Sequence, residues 1–101
     1  MGISVMVNGW NECDEIALNA PKVRMSASSM AQVLRAAGFE DKDPQGDGIA
    51  ADRIGDALER LKALEVSLTG NEAMELLRLR TVNVWSVLAF AQSRNRGAYW
   101  A

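Results

Sequence analysis

The chain of 101 residues has no histidine. That removes the commonest general base at neutral pH, the usual zinc ligand and every Ser-His or Cys-His arrangement. Cysteine is almost as scarce. Cys13 stands alone, so no intrachain disulfide can form, and Glu12, Asp14 and Glu15 around it disfavour the thiolate that a reactive nucleophile needs. No apolar run approaches the roughly 20 residues of a membrane span. The opening "MGISVMV" has neither the basic start nor the long apolar stretch of a signal peptide, and Met6 stands where myristoylation requires Ser or Thr. A cytoplasmic protein with no membrane partner is the expectation.

What is present suits one small folded unit. Apolar residues make up 49% and charged residues 24%, the balance of a globular domain and not of a disordered chain. At this length a single domain over residues 1–101 is expected, built on one core. The net charge of -2 conceals an asymmetry. Residues 1–75 hold thirteen acids and seven bases, whereas residues 76–101 hold four arginines and no acid, so the tail carries +4 and the remainder -6. Internal pairing between the two parts explains this better than attraction to phosphate backbones, which an acidic chain repels.

"ISVMVN" at 3–8 reads as a strand, and "EIALN" at 15–19 as a second one after the turn-like "NGWNE". The two make a hairpin or paired segment that must pack on helices, since a lone hairpin is marginal. Ser26 is a good N-cap, with Met25 and Met30 at staple spacing; Met30, Val33, Leu34 and Ala37 form a stripe that Gly38 ends, with Phe39 folding back. A second helix lies in "AADRIGDALERLKAL", where Ile54, Ala57, Leu58, Leu61, Leu64 and Leu68 share one face and Asp52, Asp56, Glu59 and Arg60 lie outside it. "TGNE" at 69–72 reads as a capping box that opens a third, longer helix reaching to residue 95, with Gly97 to end it and Tyr99 and Trp100 folding back. On that helix Met74, Leu77, Thr81, Val84, Trp85 and Leu88 form the main stripe, while Leu79, Val82, Val87 and Phe90 point elsewhere. A helix apolar nearly all round is a central one, covered on more than one side.

The acidic stretch "EDKDPQGDGIAAD" at 40–52 invites comparison with a calcium loop. Counted from Asp43, Asp47 and Gly48 fall at positions 5 and 6, but position 12 is Ile54; counted from Asp41, Asp52 falls at 12 but Pro44 at 4 and Gly48 at 8. Neither frame closes, and an acidic turn accounts for each residue. "SASS" at 26–29 has no nucleophile-elbow frame, and "GDG" has no phosphate-loop spacing. Asp52 and Asp56 share a helical face, but the solvent face, where charged residues are usually just the wet side of an amphipathic helix. No catalytic residue, metal set or cofactor is expected. Arg78 and Arg80 lie about 20 to 27 Å from Arg94 and Arg96 along one helix, too far for a compact phosphate patch.

The expected fold is α+β and mainly helical: an N-terminal hairpin or paired segment on three helices, with a long central C-terminal helix. The expected function is that of a small non-catalytic interaction or regulatory module, an inhibitor, immunity-type or subunit protein, that self-associates as a homodimer. Its candidate surface is Leu79, Val87, Phe90, Arg94, Arg96, Tyr99 and Trp100. The alternatives are a nucleic-acid-binding domain using those arginines and aromatics, and a small enzyme with carboxylate chemistry.

Overall fold

A computed structural model describes residues 2–10 and 14–101. The fold is α+β, a four-stranded antiparallel sheet with four helices. The strands β1 (Gly2–Val7), β2 (Val23–Ser26), β3 (Asp47–Ile49) and β4 (Ala98–Trp100) lie in the order β2-β1-β4-β3. The helices are α1 (Asp14–Asn19), α2 (Ala27–Ala36), α3 (Ile54–Leu68) and α4 (Glu75–Ser93).

Alternation in β1 puts Ile3, Val5 and Val7 on one face, all buried. Register extends that face across the sheet, because Val5 sits opposite Trp100, Val7 opposite Ala98, and Ala98 opposite Ile49. Helices α4 and α2 pack against the sheet, and the buried residues form a single cluster. The opposite face carries Arg24, Ser4, Met6, Tyr99 and Gly48.

The partner of β1 differs from the expected one. Residues 15–19 are helical, and β1 pairs instead with Val23–Ser26, where Ile3 faces Met25 and Val5 faces Val23. The reason is local. Asp14 and Glu15 favour a helix start, Ala17 and Leu18 are good helix formers, and only Ile16 reaches the core.

Helix α2 begins and ends as its residues dictate. The Ser26 side chain accepts a bond from the Ser29 N–H at 3.1 Å. Gly38 adopts φ +87°, its N–H donates to Arg35 O at 3.1 Å, and the Phe39 N–H donates to Leu34 O at 2.7 Å, a Schellman end that returns Phe39 to the core. Helix α3 follows a 3-10 turn at Ala51–Arg53 and buries Ile54, Ala57, Leu58 and Leu61, while Leu64 is half-buried and packs on the core.

The capping box at 69–72 does not form. Gly70, at φ +85°, stops α3 instead, so Thr69 belongs to the end of that helix and its hydroxyl donates back to Glu65 O at 2.9 Å. Asn71 caps a 3-10 turn at Glu72–Met74, accepting from the Ala73 N–H at 3.1 Å, and α4 starts at Glu75. At the other end of α4 the left-handed residue is Asn95 (φ 55°), not Gly97, and the Arg96 N–H closes onto Ala91 O at 2.9 Å.

Helix α4 is central, in contact with α3, α2 and β1. It buries Thr81, Val84, Val87, Leu88 and Ala91, an arc of about 120° at the helical period. The Thr81 hydroxyl is satisfied by Leu77 O at 2.8 Å. Burial nearly all round is not what the structure shows: Leu76, Leu79, Val82 and Trp85 are exposed, because the sheet and two helices cover only part of the circumference.

Candidate interaction surface

The α3 stripe that reaches the core leaves the next face of the helix open. Gly55, Glu59, Lys62 and Val66 follow one another there at spacings of four, three and four. Beside them α4 presents Trp85, which is 39% exposed, and Val82. Two depressions meet at the indole. A groove of about 300 Å³ is lined by Leu61, Lys62, Glu65, Arg78, Val82 and Trp85. A shallower hollow of about 770 Å³ runs along α3 over Gly55, Glu59, Lys62 and Val66.

Charges of both signs frame this surface. Arg78 donates to both Glu75 oxygens, at 2.9 and 2.6 Å, and to Glu65 Oε1 at 3.4 Å, tying the two helices together. That bond from Arg78 holds the Glu75 carboxyl below its ordinary pKa. Lys62 lies 4.0 Å from Glu65, and among the described residues Glu59 makes no ion pair.

The seven residues expected to form one surface are dispersed. Leu79 is exposed on α4, but Val87 is wholly buried beneath the same helix and cannot line a free surface. Phe90 is half-buried with the Arg94 guanidinium 4.5 Å from its ring centre. Arg94 is held by Glu15 at 2.7 Å, and Arg96 donates to Asn8 O at 3.2 Å. Tyr99 lies on the open face of the sheet, its hydroxyl 3.7 Å from the Met6 sulfur. Trp100 is buried in β4 and donates through Nε1 to Asp43 O at 2.7 Å. Two of the four tail arginines, Arg78 and Arg94, thus pair with acids of the preceding part.

Two carboxylates of the acidic loop, Asp43 and Asp47, are spent on its own backbone. Asp47 accepts from the Asp43 N–H at 3.0 Å and the Gly48 N–H at 2.8 Å, while Asp43 accepts from the Gln45 N–H at 2.9 Å. Asp56 is exposed and paired with Arg60 at 3.0 Å. Among the described residues no three His, Cys, Asp or Glu side chains are grouped to hold a metal, and no helix is long and apolar enough to cross a membrane. Cys13 lies outside the described residues.

Two residues of this surface, Val66 and Trp85, escape sequence reasoning. Periodicity places Trp85 in the buried stripe of α4, and only the position of α3 reveals its exposure. Val66 does leave a signal: it is an apolar residue off the α3 stripe, in line with Glu59 and Lys62. Compared with protein-family models, curated proteins and solved structures, the chain matches none.

Proposed function

We propose that this chain is a non-catalytic protein-interaction module whose docking surface is the α3–α4 face around Trp85. One observation carries this reading. Among the exposed large apolar side chains of the described residues, Val66 of α3 and Val82 and Trp85 of α4 come together at the two depressions that meet at the indole. Soluble chains scatter such residues singly; a concentration beside a groove, with an aromatic at its edge and charges at its rim, is the composition of an interface core. The nucleic-acid alternative has less support, because Arg78 and Arg94 are already engaged by carboxylates and the chain is net acidic. The carboxylate-enzyme alternative is likewise weakened by the exposure of Asp52 and Asp56.

The test is capture of partners from an extract of the source cells on the immobilised chain, in three forms: wild type, Trp85→Glu, and Arg24→Ala on the open sheet face. The reading expects binding that Trp85→Glu abolishes and Arg24→Ala leaves intact, with both variants shown folded by circular dichroism. Binding that survives Trp85→Glu overturns it.

A further inference from the structure

We infer that a second copy of this chain docks on this surface, α3 against α3, antiparallel about a twofold axis level with the Arg60–Leu61 peptide. The inference rests on reading the α3–α4 face as a docking surface and names its occupant. Gly55, Glu59, Lys62 and Val66 lie within about 60° of one another around the helix, at the spacing of a coiled-coil seam. About the stated axis this seam is complementary to itself. Glu59 of each copy meets Lys62 of the other, and Val66 of each meets Gly55 of the other, so opposite charges pair and a large residue fills the space above a small one.

Two features of the isolated chain agree with that pairing. Glu59 makes no ion pair among the described residues, and Lys62 has only the 4.0 Å approach to Glu65, so both are free to pair across the axis. Gly55 is the second residue of α3, and a glycine inside a helix is unfavourable relative to alanine. Nothing among the described residues demands it. Its φ is not in the left-handed region, and an added Cβ would meet only Gln92 Nε2, at an ordinary 3.6 Å. The shallow hollow over Gly55, edged by Gln92, has a use when the Val66 side chain of a second copy, 60% exposed on its own, occupies it. A rim of one sign would repel an identical chain, whereas this one alternates. The seam is short, about 18 Å at 1.5 Å per residue, so the association is weak and concentration-dependent.

The experiment is sedimentation equilibrium of the full chain from micromolar to near-millimolar concentration, in four forms. Wild type is expected to approach twice the chain mass. Glu59→Lys places two lysines against two lysines and Lys62→Glu two acids against two acids, so each is expected to weaken association by roughly tenfold or more while circular dichroism shows the same fold. An equimolar mixture of the two single variants restores both pairs and is expected to form the heterodimer; the double variant E59K/K62E is expected to dimerise with itself. A wild type that stays monomeric throughout overturns the inference, as does a dimer indifferent to both reversals or a mixture that stays monomeric. A monomeric wild type that still captures another protein through Trp85 leaves the docking surface standing and refutes only this occupant.

Discussion

Gly97 tests how the sheet is closed against the loop before α3, and its replacement by alanine has a cost that can be worked from the structure. The residue is buried at the entry to β4, where its carbonyl accepts from the Asn8 N–H at 2.9 Å. An added Cβ would overlap Ile49 O and lie 2.8 Å from Asn8 Nδ2 and 3.2 Å from Ala51 N. The Asn8 amide is the end of a side chain and can turn away. Ile49 O is backbone, in the residue directly opposite Ala98, so relief requires β3 to move off β4 or the strand to tilt. Overpacking of this kind costs about 1–3 kcal/mol. Against it, alanine in place of glycine gains about 0.4–1 kcal/mol by restricting the unfolded chain. The net is a loss of up to about 2.6 kcal/mol and about 1.3 kcal/mol at the midpoints, so at about 4–8 °C per kcal/mol for a domain of this size the melting temperature should fall by roughly 5–10 °C. Gly46→Ala is the control: its Cβ meets only Trp100 O, at 3.8 Å, and its φ is not left-handed, so it should melt at or slightly above wild type. The measurement is thermal unfolding by circular dichroism for both variants. Gly97→Ala melting with Gly46→Ala would refute the close approach of β3 and β4 as described.

Leu34→Ala and Leu61→Ala each remove a buried stripe residue and should destabilise by about 2–4 kcal/mol in urea unfolding; near-zero effects would mean the helix faces are misplaced. Millimolar calcium should leave the melting temperature nearly unchanged, because the Asp47 carboxylate is already taken by two backbone N–H groups, and a large rise would contradict that use of the loop. The Asp43 N–H, and after it the Gly48 N–H, hold the Asp47 carboxyl below its ordinary pKa. A group with a depressed native pKa contributes stability above its unfolded pKa and loses it as pH falls through the native value. The urea midpoint should therefore decline on acidification below about pH 4, and less steeply in Asp47→Asn; equal slopes would remove Asp47 as a contributor.

Much local chemistry was legible in the sequence, with the helix over Asp14–Asn19 an exception, and long-range pairing was not. Ser26 as a cap, Gly38 as a stop and the stripe Ile54, Ala57, Leu58 and Leu61 each depend on residues within a few positions of one another, and the structure places all of them as their spacing requires. Thr69 misleads because Thr-Gly-Asn-Glu satisfies both a capping box and a helix end, and the left-handed Gly70 decides for the end. The strands β3 and β4 have three residues each and pair across about fifty positions, so neither carries an alternation long enough to read. Trp100 looks like a tail residue in the sequence and is a core residue in the fold, because β4 completes the sheet between β1 and β3.

The exposed residues of α4 do not all belong to the same surface, and helical geometry separates them. Leu76, Leu79, Val82 and Trp85 recur every third residue, and each such step turns the row by about 60° around the axis. From Trp85 to Leu76 the row has rotated through about 180°, so it crosses the open side of the helix diagonally instead of lying along it. Only its C-terminal end reaches α3, where Trp85 and Val82 meet Leu61 and Lys62. A period of three therefore couples one end of the row to the α3 seam and directs the other end away from it. This is why Leu79 and Phe90, although apolar and on the longest helix, make a poorer nucleus for an interface than Val66 and Trp85, which come from different helices and share one hollow. A surface assembled from two packed helices is held rigid by the same contacts that bury Leu58 and Leu61 behind it, so ordering it costs little further entropy when a partner arrives.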